Sequence, residues 1–280
     1  MSIRLTLPTH THRNPHERAK AFGHALSKRH RKPFDFPTTL VGTTPDKRVT
    51  LYYDPELGTP GANLAKQVFA NIGQTYANCQ TYFGVAGQPV NVIIAPVGNV
   101  TDGSGGAYHY GCNFNPGGTL YCDAAFGNPV MTNGLVVAEL TESFMGLQNK
   151  GWDCGGSNGE ALSRLLAELE SGGPEGALAA FSTGPDWDQA GRPNWIDATE
   201  PTDGDAVSTG CGIVYLYWMM SKGHSAAKIT QAGCPDGSLA SNYKALTGND
   251  TAWRDFSAAV AALHGGITSD DPWGAAPAVA

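Results

Sequence analysis

The sequence predicts an α+β protein, a mixed sheet with an edge hairpin and one central helix, followed by a mainly helical lobe. Two observations carry this. Strand-like runs at Arg48–Tyr53 and Val90–Pro96 flank a long helical segment, Gly61–Tyr82, which is the spacing of a strand, crossover helix and strand. A hairpin is then expected from Gly106–Tyr110 and Thr119–Ala124, turning around Asn115-Pro116-Gly117-Gly118. It leads into the apolar helical run Val136–Gln148, and further helical runs begin near Gly155 and Ser208.

With 280 residues, 41% hydrophobic and 15% charged, the chain can bury a substantial core in one large domain or two lobes. The expected organisation is a basic arm over 1–47, a subdomain over 48–150 that holds the sheet, and a mainly helical subdomain over 151–280. No apolar run approaches the roughly 20 residues that span a bilayer, and the first residues lack the apolar centre of a secretory signal. Gly and Pro cluster most densely between Ser171 and Gly210, so a long ordered loop is expected there, crossing over the cleft. It carries Asp186, Trp187, Asp188, Trp195, Asp197, Asp203 and Asp205.

Charge is unevenly divided. Residues 1–32 hold Arg4, Arg13, Arg18, Lys20, Lys28, Arg29, Arg31 and Lys32 against Glu17 alone, whereas the whole chain is −7. The arm is therefore read as a clamp on the protein's own acidic body or on a second copy of the chain, ahead of a targeting peptide or a polyanion contact. The acidic remainder argues against nucleic acid as a partner, because binding it requires a basic face that releases counterions. No membrane partner is expected.

The six cysteines contain no C-x-x-C pair, which argues against a structural zinc site. Cys112 and Cys122 sit symmetrically about Gly117 in the expected hairpin, where facing residues stand at disulfide distance, so a Cys112–Cys122 bridge is expected. Bridged cysteines would place the chain in a secreted or periplasmic setting. A set of small buried thiols is the alternative.

The run Val136-Val137-Ala138-Glu139-Leu140-Thr141-Glu142-Ser143-Phe144-Met145-Gly146-Leu147-Gln148 resembles the active-site helix of the zincin metallopeptidases with both metal-binding histidines absent. In the motif H-E-x-x-H, two His one turn apart hold zinc and the Glu is the general base. Here the ligand positions are Ala138 and Glu142, and Glu139 fills the base position. Gly155-Gly156-Ser157-Asn158-Gly159-Glu160-Ala161-Leu162-Ser163-Arg164-Leu165 resembles the second helix of the gluzincins, where a Glu is the third ligand. Glu160 matches it. The resemblance covers roughly residues 48–225, and it implies a zincin-like fold with a cleft between these helices.

What the altered site can do follows from its donors. Residues three apart on a helix share a face, so Glu139 and Glu142 are both expected at the cleft, with Glu160 arriving from the facing helix. Such a set suits no zinc; a hard cation such as Ca²⁺ or Mg²⁺ is the alternative to a metal-free site. Without metal, one protonated and one ionised Glu form an acid/base pair. The expected activity is a zinc-independent, hydrolase-like reaction by Glu139, Glu160 and Glu142 on a peptide, glycan or small-molecule substrate. His109, Tyr110, Tyr215 and Tyr217 are candidates for substrate binding. The alternatives are a pseudo-peptidase that binds without turnover and a structural or assembly protein. Arg164, one turn after Glu160, offers a purely structural ion pair instead.

Overall fold

The computed structural model describes residues 36–97, 107–108, 118–124, 127–202 and 204–277. The fold is α+β, with a five-stranded mixed sheet and eight α-helices among the described residues. The sheet comes first. Strand β1 (Thr39–Thr43) turns into the antiparallel β2 (Val49–Tyr53) through a tight loop in which Lys47 takes a left-handed φ of 60°. Asp54 then caps a short 3-10 turn by accepting the Glu56 N–H.

Helix α1 (Gly58–Phe83) is the expected crossover. Its Leu64, Ala65, Val68, Ile72, Thr75, Tyr76, Cys79 and Phe83 recur at three- and four-residue steps and form one buried stripe against the sheet. Gly84, at φ 67°, ends it, with its N–H on the Gln80 carbonyl. Strand β3 (Val90–Ala95) returns parallel to β2, as a crossover helix of this length permits. Strand β4 (Ala107–Tyr108) and strand β5 (Gly118–Asp123) complete a sheet of order β1-β2-β3-β5-β4, with β5 parallel to β3 and β4 antiparallel on the edge.

The edge pairing corrects the expected disulfide. Ala107 pairs with Cys122 and Tyr108 with Tyr121, so Ala107 and not Cys112 stands opposite Cys122. Cys122 is a free, buried thiol, as are Cys79, Cys211 and Cys234. A disulfide does exist, at Cys154. Cys112 lies outside the described residues, as does the whole basic arm.

Helix α2 (Pro129–Gln148) starts on the Asn128 side chain, which accepts the Val130 N–H, and ends at Asn149 in the left-handed region. It is not amphipathic. The sheet, α1 and helix α3 (Ser157–Leu169) all pack on it, and it is buried from Gly134 to Met145 without a break. Behind α3 comes helix α5 (Ala206–Ser221), started by Asp205 and buried from Ser208 to Met219. The glycine-rich stretch expected as loop contains a short helix, α4 (Gly184–Gln189), whose Trp187 is wholly buried. Helices α6 (Ala226–Ala232), α7 (Leu239–Thr247) and α8 (Ala252–Ala261) complete the helical part. One continuous hydrophobic core joins sheet and helices. At its helical end Phe256 stacks on Trp187 at 5.5 Å and meets Tyr215 edge-on at 5.8 Å. No helix among the described residues is long and apolar enough to cross a membrane.

Two glycines of α5 set how closely it approaches its neighbours. A β-carbon on Gly210 would lie 2.1 Å from the Thr183 carbonyl oxygen, and one on Gly212 would lie 2.6 Å from the Ala161 methyl. Gly212 thereby lets α3 seat directly on α5. Gly210→Ala is expected to destabilise the fold by about 1–3 kcal/mol in urea denaturation, because backbone and not a flexible side chain would have to move. Unchanged stability would mean that α5 can slide away from Thr183 at no cost.

Candidate functional site

The burial of α2 on all sides decides where its carboxylates go. Glu139 and Glu142 are each only 3% exposed, in a mainly apolar helix whose other buried polar side chains are the hydroxyls of Thr132, Thr141 and Ser143. Glu139 lies near the C-terminal half of β5. Its charge, together with that of Asp123, adds to burial in raising the Cys122 thiol well above its ordinary value.

Glu160 is delivered by a run in which each residue has a structural task. Ser157 Oγ accepts the Glu200 N–H at 3.0 Å. Asn158, 1% exposed, donates to the carbonyls of Gly151 and Gly237 and ties two loops to the start of α3. Gly159 has no alternative, since a β-carbon there would lie 2.0 Å from the Asp153 carbonyl oxygen. Glu160 follows in the first helical turn, where the exposed N–H groups of the helix favour a negative charge.

Glu160 is 2% exposed and accepts Arg164 Nε at 2.7 Å. Arg164, also buried, extends Nη1 to the Phe181 carbonyl at 2.9 Å. Burial pushes the Glu160 carboxyl above the ordinary glutamate value. The Arg164 charge opposes that rise and the nearby Glu139 charge adds to it. The structure thus brings Glu139 and Glu160 within electrostatic reach of each other, and it realises the ion pair that the one-turn spacing of Glu160 and Arg164 permits.

The other expected residues fare differently. His109 and Tyr110 lie outside the described residues, as does Asp203. Tyr215 and Tyr217 have no exposed surface. The Tyr215 hydroxyl bonds Asn242 at 3.3 Å and the Tyr217 hydroxyl donates to Glu168 at 2.7 Å. Both are placed inside the core, facing no cleft. Asp186 and Trp187 are buried on α4, whereas Asp197 is exposed.

Sequence reasoning missed Glu168 and Asp270. Glu168 sits two turns after Glu160 on the same face of α3, and burial raises its carboxyl well above the ordinary value, with Asp270 next in effect and the Tyr217 hydrogen bond opposing. The i, i+4, i+8 spacing of Glu160, Arg164 and Glu168 was a usable signal for the first two and their neighbour; nothing in the sequence pointed to Asp270.

The side chains at the metal-ligand positions of the resembled motif are those of Ala138, Glu142 and Glu160. Ala138 has no donor atom, Glu160 is engaged by Arg164, and among the described residues no three His, Cys, Asp or Glu side chains converge as a metal site requires. A separate groove of about 560 Å³ opens between α1 and the start of α2, lined in part by Gln67, Asn71, Gln74, Asn133 and Glu170. It includes none of Glu139, Glu142 and Glu160. Comparison of the chain with family profiles, with curated protein sequences and with solved structures gives no match.

Arg164 is the counterion on which the site's geometry rests. Arg164→Leu removes the Nε bond to Glu160 and the Nη1 bond to the Phe181 carbonyl from a buried site, so a loss of about 1–3 kcal/mol is expected in chemical denaturation. A loss under about 1 kcal/mol would show that the two Arg164 bonds contribute little to seating α3.

Proposed function

We propose that the chain is a metal-independent, hydrolase-like enzyme on a zincin-like frame, with Glu139 and Glu160 as an acid/base pair and Glu142 as a third carboxyl that modulates them. The observation that carries this reading is the burial of both Glu139 and Glu160, which raises the Glu160 carboxyl, with the Glu139 charge adding to that rise and Arg164 opposing it. A carboxyl kept protonated by burial is a proton donor at a pH where an ordinary glutamate is not. In the reaction Glu139, at the general-base position, takes a proton from the attacking water. Glu160 gives its proton to the leaving group, and Arg164 stabilises the carboxylate that results. The substrate class is a peptide, glycan or small ester.

The order of elements supports the frame: strand, crossover helix, parallel strand, antiparallel edge strand, central helix and facing helix. The disulfide at Cys154 supports an oxidising compartment. A hard cation is kept as a lesser alternative to a metal-free site, and the basic arm is assigned to a clamp on the acidic body or on a second copy.

A second reading is favoured by one specific observation. All three carboxylates are 3% exposed or less, and Glu160 is already committed to Arg164. That is how a pseudo-peptidase would look, with a peptide or glycan held without turnover and the former catalytic acids serving structure.

The test is kinetic. The full chain is screened against peptide, glycan and ester panels with and without a chelator, and any turnover found is measured again in Glu139→Gln and Glu160→Gln. Losses of roughly 10²- to 10⁴-fold in kcat with folding intact, and indifference to the chelator, are expected. Parent-like turnover in both variants sinks the enzyme reading. Ligand capture with no turnover leaves the pseudo-peptidase.

A further inference from the structure

The helical part contains a second carboxyl pair that the proposed chemistry does not use. Glu168, at the end of α3, is 3% exposed, and Asp270, in the segment after α8, is 1% exposed. They are within hydrogen-bonding reach of each other. The two side chains are otherwise differently occupied. Asp270 Oδ1 accepts the backbone N–H groups of Thr183 and Gly184, the residues that start α4. Its Oδ2 is buried and has no donor among protein groups. Glu168 Oε2 accepts the Tyr217 hydroxyl at 2.7 Å.

Two carboxylates in contact have only acceptor atoms to offer each other, and both are shielded from water. One proton changes that. A protonated Glu168 donates to Asp270 Oδ2, which supplies the missing partner and converts repulsion into a short, charge-assisted hydrogen bond. We propose that Glu168 and Asp270 share a single buried proton, and that this proton clasps the C-terminal segment 267–277 onto the helical body and releases it as pH rises.

The surroundings fit a clasp that can open. The charged and titratable groups that act most on Glu168 are Asp270 from the segment, Tyr217 from α5 and Arg164 from its own helix; Asp271 adds negative charge near Tyr217. Arg164, the cation among them, is held by Glu160 and the Phe181 carbonyl. Burial and Asp270 both favour the proton on Glu168, against the weaker effects of Tyr217 and Arg164. The segment is also held by Ile267, buried in the main core with its N–H on Asp188 at 3.1 Å, and by Trp273, Ala275 and Ala276, which pack against that core, so the proton is one tie among several. Asp271 spends its oxygens within the segment, on the N–H groups of Trp273 and Ala276.

The sign follows from linkage. The closed form holds one proton more than the released form, in which Glu168 titrates near its ordinary value of 4.5. Above that value the released fraction should therefore rise with pH, by up to tenfold per unit, until Glu168 in the closed form itself ionises. Below it the clasp is pH-independent.

Hydrogen exchange of the full chain, read by mass spectrometry over peptides covering 263–277 between about pH 5 and 8 and divided by intrinsic exchange rates, measures that opening. In the parent protein the opening equilibrium should climb with pH at a slope approaching tenfold per unit. Glu168→Gln keeps a donor toward Asp270 but does not titrate, and should flatten the slope. Asp270→Asn removes the repelling charge and should make it shallower. A flat parent profile, or a parent-like slope in either variant, overturns the proposal. If neither variant folds, the parent profile alone decides. None of these outcomes depends on whether Glu139 and Glu160 are catalytic.

Discussion

Buried negative charge is the constraint on which this structure turns. Among the described residues, nine carboxylic side chains are buried, Asp54, Asp123, Glu139, Glu142, Glu160, Glu168, Asp186, Asp270 and Asp271, against a single buried cation, Arg164. One guanidinium cannot balance nine carboxylates in a low-dielectric interior. Three of the acids answer the problem locally by accepting backbone N–H groups: Asp54 at the 3-10 turn, Asp270 at the start of α4, Asp271 within its own segment. Glu160 takes Arg164. Glu168 takes a tyrosine hydroxyl and, on the proposal above, a proton.

The placement of those acids is a packing result before it is a chemical one. Helix α2 is enclosed by the sheet, α1 and α3, so any side chain on it is buried, and a glutamate there carries a desolvation cost that only function or a specific partner offsets. Helix α3 can approach because Gly212 of α5 and Gly159 of α3 itself leave room where a methyl would collide with Ala161 or with the Asp153 carbonyl. The short loop from Asn149 to Gly156 is pinned by Asn158, and the position of Glu160 relative to Glu139 inherits that rigidity.

Much of this was legible in the sequence, and the failures are instructive. The strands at 49–53 and 90–95 and helix α1 matched expectation closely because periodicity of 2 and 3.6 is a local property, and because Gly84 marks a stop. The edge strands were found but not their register. Symmetry about Gly117 would pair residue 112 with 122, whereas the chain pairs 107 with 122, and a slip of that size is invisible to a local pattern. Tyr215 and Tyr217 illustrate another limit: a tyrosine inside an apolar helix has the same spacing whether its hydroxyl meets a substrate or a buried glutamate. Helix α4 is too short for periodicity to reveal. The contact of Glu168 with Asp270 joins two residues far apart in the chain, and no local pattern encodes it.

The account stands on the protonation of Glu160 beside Glu139, and a site-resolved titration tests it most directly. Side-chain carboxyl carbons of isotopically labelled glutamate, followed by NMR in chelator-treated full-length protein, give an inflection for each group, with Glu160→Gln supplying the assignment. The prediction is a Glu160 inflection above the ordinary value of 4.5 that moves downward in Glu139→Gln, because the Glu139 charge is one of its upward causes. An inflection at or below 4.5, unmoved by Glu139→Gln, would mean that Arg164 holds Glu160 fully ionised and that the pair is a structural salt bridge with no acid to offer.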